Sequence, residues 1–268
     1  MTTSYLDRGE GRIAYEVWGQ GPLVVCAPGM GDLRSTFRFT VPALIEAGYQ
    51  VAAMDLRGHG ESDDGFSLYD DPALASDIRA LIAHLGGPAL LVGNSMGAAG
   101  SIIAAAEEPE LVAGLVLMGP WVRDPKPSPV MRLVQRLMLV KPLGPAAWRA
   151  FYKTLYPGRR PTDLAAHIDR VGAAMRRGDH WRSFVRTSTT SHAPVEARLG
   201  DVHAPALIVM GEKDPDFPDP AAEARFAAEQ LRGELLLVPD SGHYPQADSP
   251  DTVNPAVLAF AGKVFGRS

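Results

Sequence analysis

Ser95 lies in the run Gly93-Asn94-Ser95-Met96-Gly97, directly after the apolar stretch 89–92 and directly before residues that favour helix. A serine hydroxyl is nearly inert at neutral pH; it becomes a nucleophile only when a base can take its proton and a third group orients that base. A turn from strand to helix suits the nucleophile's part. Such a turn holds the serine on a strained backbone, small neighbours such as Gly93 and Gly97 let strand and helix approach, and free N–H groups at the helix start favour negative charge. The chemistry this placement offers is acyl transfer through a covalent serine intermediate.

The base should be a histidine, and the sequence holds seven. His84 falls on an expected helix, His167, His180 and His192 fall in a long helix-favouring stretch, His203 precedes a strand, and His59 sits in the loop Arg57-Gly58-His59-Gly60-Glu61-Ser62. His243 differs from these. In Ser241-Gly242-His243-Tyr244-Pro245 it follows the last apolar run, at the sheet edge that presents Ser95. The orienting acid should leave a neighbouring strand end, where Val209-Met210-Gly211-Glu212-Lys213-Asp214-Pro215 offers Glu212 and Asp214, with Asp216 just beyond. Asp214 is favoured because the turn carries it past the strand tip and Pro215 fixes the backbone behind it; Asp216 is its rival.

These residues need a scaffold. Runs rich in Val, Leu and Ala at 23–27, 51–54, 89–92, 115–118, 206–210 and 235–238 read as strands buried on both faces, since polar alternation is missing. Helical patterns fall at 71–85, 96–108, 221–231 and 251–265. The first of these opens on Asp71-Pro72, carries Leu74, Ile78, Leu81 and Ile82 on one face, and stops at Gly86-Gly87. Strands alternating with helices specify an α/β fold, a mostly parallel sheet with helices on both faces and ligands at the carboxyl ends of the strands. The alternating Ile13-Ala14-Tyr15-Glu16-Val17 adds an antiparallel N-terminal hairpin. From 121 to 200 the strand pattern stops, and Val130, Leu133, Val134 and Leu137 recur at helical spacing. Residues 121–200 are therefore expected to form a helical cap over a core made of 1–120 and 201–268. Trp121, Trp148, Trp181, Phe151, Tyr152, Tyr156 and Phe184 are expected to pack it down.

A chain of 268 residues, 46% hydrophobic and 21% charged, suits one globular core carrying an insertion. The lone cysteine, Cys26, sits inside an apolar run and is expected in the core. The N-terminus lacks a basic start followed by an apolar run, and no stretch of about 18 uncharged apolar residues occurs, so a cytoplasmic protein without membrane contact is expected. The formal charge of −5 is unevenly spread: residues 121–200 carry fifteen Lys or Arg against five Asp or Glu, while the remainder carries 11 against 26. A net negative chain argues against a nucleic-acid partner, and neither zinc-spaced Cys and His nor a Gly-rich phosphate loop is present. The expected partner is a small-molecule substrate, with no cofactor and no metal; oligomeric state leaves no signal in the sequence. Arg176, Arg177, Arg182 and Arg186 either line a pocket mouth that attracts anions or tie the cap to core carboxylates.

Together these landmarks resemble the α/β-hydrolase fold family with a helical cap, over residues 11–265. The order Ser95, Asp214, His243 matches the family's order of nucleophile, acid and base; Asp55-Leu56-Arg57-Gly58-His59-Gly60-Glu61-Ser62 and Gly242-His243 match further landmarks. The resemblance implies a serine hydrolase whose oxyanion hole is built from the backbone N–H groups of Met30 and Met96, with Gly29, Trp121 and Tyr244 lining the substrate pocket. One departure stands out, because Pro28-Gly29-Met30-Gly31-Asp32 has proline where the family commonly has histidine. Main-chain donors survive that change, which bears instead on the shape of the loop. Cleavage of carboxylic esters is the leading expectation. Gly93-Asn94-Ser95-Met96-Gly97 and Gly242-His243-Tyr244-Pro245-Gln246 also resemble carbon–carbon bond hydrolases of diketone-like acids, although their Gly-rich oxyanion run is missing. A third possibility is a ligand sensor that keeps the fold. Haloalkane and epoxide relatives are disfavoured, since they carry aspartate where this chain has Ser95.

Overall fold

A computed structural model describes residues 2–124, 139 and 144–267. Its strands are β1 (Ser4–Asp7), β2 (Arg12–Trp18), β3 (Leu23–Ala27), β4 (Gln50–Met54), β5 (Ala89–Asn94), β6 (Val112–Met118), β7 (Ala206–Gly211) and β8 (Glu234–Val238). They form one sheet in the order β1-β2-β4-β3-β5-β6-β7-β8, with β1, β2 and β4 paired antiparallel and every other pairing parallel. The helices are α1 (Thr40–Glu46), α2 (Asp71–Leu85), α3 (Met96–Glu107), α4 (Gly144–Thr154), α5 (Leu164–Ala174), α6 (His180–Thr187), α7 (Ala193–Glu196), α8 (Pro220–Leu231), α9 (Pro245–Asp248) and α10 (Pro250–Phe265).

Both faces of the sheet are covered, which explains the unbroken apolar runs. Successive residues of a strand point to opposite faces. In β3, Val25 and Ala27 join the layer containing Ile78, Ile82 and Ile102 of α2 and α3, whereas Val24 and Cys26 join the layer containing Leu44 of α1 and Val257 and Phe260 of α10. Cys26 is fully buried, and burial pushes its thiol pKa up. The alternation read at 13–17 is not seen as such: Ile13, Ala14 and Tyr15 are all buried, and the segment after β4 packs on Ala14, whose N–H donates to Ser62 Oγ and whose O accepts the Asp55 N–H, both at 2.9 Å.

Helix α2 shows local sequence setting an element. The Asp70 carboxylate accepts the Ala73 N–H at 3.0 Å, Pro72 occupies the first turn, and Gly86 closes the helix at φ 84°.

Two features of the topology position a site. Strand β3 leads away to β4 on one side, while β5 leads to β6 on the other, so a crevice opens above their carboxyl ends. Helices α4 to α7 come between β6 and β7 in the chain. They bury a separate cluster, in which Tyr152, Tyr156, Ile168, Trp181 and Phe184 pack with Tyr244 and Ala247 from the segment after β8. The helical pattern read at Val130, Leu133, Val134 and Leu137 lies outside the described residues.

The crevice depends on α3 lying close to β3. A Cβ on Gly97 would run into the Ala27 carbonyl. Gly97→Ala should therefore lower stability by about 1–3 kcal/mol, the range for overpacking, measured as a shift of the urea midpoint at constant m. An unchanged midpoint would show that helix and strand can part without cost.

Candidate active site

Strand β5 ends at Asn94 and α3 begins at Met96, so Ser95 alone makes the turn, with φ 54° and ψ −117°. A non-glycine residue in that region is strained by about 1–3 kcal/mol and persists only where its surroundings impose it. Here they do. Ser95 N–H donates to Met118 O at 2.9 Å, and Ser95 O accepts from the Ala98 and Ala99 N–H groups at 3.0 and 3.1 Å. Gly93 and Gly97 allow the contact, since a Cβ on Gly93 would collide with Ala98 and Gly97 of the helix. Ser95 is 8% exposed.

His243 arrives from the loop after β8 and Asp214 from the loop after β7. The His243 Nδ1 lies 2.7 Å from Asp214 Oδ2 and 3.5 Å from Asp216 Oδ2, with both His243 and Asp214 buried. Asp214 is oriented in turn by the Asp216 N–H, which donates to its Oδ1 at 3.0 Å. Asn94 joins this pair to the Ser95 turn: its Nδ2 donates to Met118 O at 3.0 Å and to His243 O at 3.1 Å. From the helical insertion, Leu155 O accepts the His243 N–H at 2.9 Å. Asp214, Asp216 and His243 also have the spacing of a metal-ligand group; a proton on Nδ1 shared with Asp214 would leave that nitrogen no lone pair to offer a metal.

Gly29 packs on the serine, because a Cβ there would lie 2.9 Å from Ser95 Cβ. Among the described residues the Met30 N–H has no hydrogen-bond acceptor in the protein, and Met96, first in α3, has none within its helix. Trp121 is half-buried and lies against His192 and Phe217 at ring distances of 5.4 and 5.2 Å. Tyr244 is buried and stacked between Tyr152 and Tyr156 at 5.1 and 5.2 Å, with its ring nearly perpendicular to that of His243. A cavity of about 890 Å³ opens elsewhere, between Trp18, Val41, Ile45, Arg34, Ala174 and Arg177, and its lining includes none of Ser95, Asp214 and His243. The hydrogen-bonded groups, rather than this cavity, locate the candidate site.

Residues 24–256 match the profile of the Alpha/beta hydrolase family. The chain belongs to that family. It is 30% identical over 93% of its length to the dihydrolipoyllysine-residue acetyltransferase component of the acetoin cleaving system of Pseudomonas putida, of which the match spans 66%. It is 29% identical to a 2-hydroxy-6-oxononadienedioate/2-hydroxy-6-oxononatrienedioate hydrolase of Klebsiella pneumoniae, covering 85% of this chain and 82% of that one. Among solved structures, a thermophilic esterase from Thermogutta terrifontis superimposes with a TM-score of 0.77 at 23% identity, covering 98% of this chain and 99% of the esterase.

Several family landmarks of this alpha/beta hydrolase are structural. The buried Asp55 carboxylate accepts the Arg34 and Glu61 N–H groups at 2.8 and 3.0 Å and pairs with the Arg34 guanidinium. Burial lowers the pKa of His59 to about 4, and its Nδ1 is held by Arg57 O at 2.8 Å. The arginines considered for a pocket mouth divide. Arg186 donates to Phe66 O and Ser67 O and Arg177 to Gly60 O, whereas Arg182 is exposed, 3.9 Å from Asp179. Arg186 and Arg177 thus tie the insertion to the core. Three supporting groups carried no sequence signal that singled them out: Asn94, hidden inside the serine motif, the Leu155 carbonyl, and Asp32, which faces His167 of the insertion.

Burial pushes the pKa of His243 down, but Asp214 and then Asp216 outweigh it and raise the pKa to about 9. Burial likewise raises the Asp216 carboxyl, against the pull of His243. Removing a negative charge beside the ring destabilises its protonated form. Asp216→Asn should therefore lower the His243 pKa, and Asp214→Asn should lower it further, because Asp214 is nearer and shares the proton. Proton NMR titration of the ring would check this; a His243 pKa indifferent to both substitutions would show that neither carboxylate acts on it.

Proposed function

We propose that this hydrolase cleaves a carboxylic ester or related acyl bond of a small to medium substrate through a Ser95 acyl-enzyme. The observation that carries the reading is the link Asn94 makes between the strained Ser95 turn and the buried His243–Asp214 pair. In the proposed mechanism Ser95 Oγ bonds to the acyl carbon as its proton passes to Nε2 of the neutral His243 ring, the form that grows as pH rises toward about 9, and Asp214 stabilises the imidazolium. The Met30 and Met96 N–H groups hold the oxyanion, an interaction stronger in the transition state than in the ground state. The proton on His243 then leaves with the alcohol as the ester bond breaks. Water attacks the acyl-enzyme, gives its proton to His243, and restores Ser95 with release of the acid. The helices between β6 and β7 act as a cap in this reading, and no cofactor or metal takes part.

A second reading has its own support. Relatives from Klebsiella pneumoniae and Paraburkholderia xenovorans at 29% and 28% identity are 2-hydroxy-6-oxononadienedioate/2-hydroxy-6-oxononatrienedioate hydrolases. For this chain the second reading is carbon–carbon cleavage of a diketone-like acid, with Ser95 and His243 in the same roles. A panel of aryl esters, lactones, thioesters and a coloured dienoic keto acid separates the two: ester turnover alone supports the first reading, and bleaching of the keto acid at a higher kcat/KM supports the second.

Ser95→Ala should remain folded, lose covalent labelling by an alkyl fluorophosphonate, and lose turnover by roughly thousands-fold or more. Asp214→Asn should reduce turnover severely, whereas Asp216→Asn should reduce it much less. Labelling of Ser95→Ala at the wild-type rate would remove the assignment.

A further inference from the structure

The loop that carries Met30 has no side-chain anchor of its own at Pro28, yet it is clamped from two sides. On the inner side, Gly29 fits against Ser95, with room for no side chain. On the outer side, Gly31 and Asp32 are held by the helical insertion. Trp148 Nε1–H of α4 donates to Gly31 O at 3.1 Å, and Gly31, at φ 73°, lies directly beneath the rings of Trp148 and Phe184, where a Cβ would collide with both. His167 of α5 places Nε2 2.8 Å from Asp32 Oδ1 and 3.1 Å from the Tyr152 hydroxyl. His167, Asp32 and Tyr152 are all fully buried.

The donor in this contact is fixed by chemistry. Burial pushes the Asp32 carboxyl pKa up, but the facing His167, its hydrogen bond and the Leu33 N–H at 2.8 Å bring it below the ordinary range. An ionised carboxylate only accepts, so Nε2–H donates. A charge-assisted bond in a buried setting is among the stronger orienting contacts a protein can make. Met30 sits between the two clamped points, one residue from each: Gly29 on the serine and Gly31 on Trp148.

We propose that His167 is a positioning residue for the oxyanion hole: from the insertion, through Asp32, it holds residues 29–32 in the shape that aims the Met30 N–H at the acyl oxygen. The proposal rests on the serine-hydrolase reading above and deepens it. The insertion then does more than bound the substrate space, because its seating and the electrophilic half of the site are mechanically one unit. The contact of Leu155 O with His243 N–H supports the opposite half of the site in the same way.

The test uses the full chain, the best ester of the panel, and an aliphatic trifluoromethyl ketone whose serine adduct puts an oxyanion in the hole. Removing one oxyanion donor outright costs about 10²- to 10³-fold in kcat. For a displaced donor, His167→Leu should lower kcat by roughly 10- to 100-fold with KM within about threefold, and weaken the ketone by a similar factor. His167→Gln, which keeps an N–H donor near the Nε2 position, should recover most of both. Asp32→Asn removes the charge without changing shape, so it decides the matter where His167→Leu fails to fold; it should lose kcat and ketone affinity in parallel. Folded variants with wild-type kcat and ketone affinity would overturn the proposal, as would a loss confined to KM. A wild-type chain that turns over no acyl substrate and is not labelled at Ser95 would instead remove the serine-hydrolase reading, and the proposal with it.

Discussion

Ser95 keeps a left-handed backbone because β5 and α3 are pressed together too closely for any other turn. Gly93 and Gly97 permit that approach, the Ser95 N–H is held by Met118 O, and the α3 start is hung from Ser95 O. The strain of such a residue, about 1–3 kcal/mol, is carried by the packing of the whole sheet and not by local sequence. Everything else in the candidate site takes its position from this contact. The Met30 loop abuts the serine through Gly29, α3 starts directly at the serine, and Asn94, next in line, reaches the backbone of His243.

Buried charge is the second organising element. His243 has two carboxylates near one ring nitrogen, Asp55 is enclosed by backbone N–H groups and Arg34, and Asp77 accepts from both Arg8 and Arg57 with none of its surface exposed. Carboxylates removed from water are costly unless charge and hydrogen bonds replace the lost hydration. Each of these has such replacements, and each joins segments distant in the chain. The groups that orient the candidate chemistry and the groups that hold its loops are thus built on one principle.

The uneven charge of the chain also has a structural counterpart. Basic residues of the insertion meet the acidic core at Arg159–Asp251 and Arg123–Glu223, while core Arg38 reaches back to Asp163. Exposed pairs of this kind contribute little individually. Arg177 and Arg186 instead bond core carbonyls, which fixes orientation more than it adds attraction. The insertion's aromatic cluster, with Tyr244 stacked inside it, supplies the apolar area on which these polar contacts act.

Periodicity and turn chemistry are local properties, so an α/β architecture was legible from the sequence alone. Continuous apolar runs marked strands covered on both faces, Asp70, Pro72 and Gly86 bounded α2, and Ser95, Asp214 and His243 each follow a strand end. What tertiary structure decided were contacts between segments with no local signature. Asp214 and Asp216 are equally acidic in sequence, and only the fold sets one at 2.7 Å and the other at 3.5 Å from His243. Tyr244 read as lining a pocket, yet its ring is enclosed by two tyrosines some ninety residues earlier. His167 read as one more helical histidine; it faces Asp32, 135 positions away, because α5 packs over the loop after β3. A residue type states what chemistry is available, but partner, distance and burial belong to the packed chain.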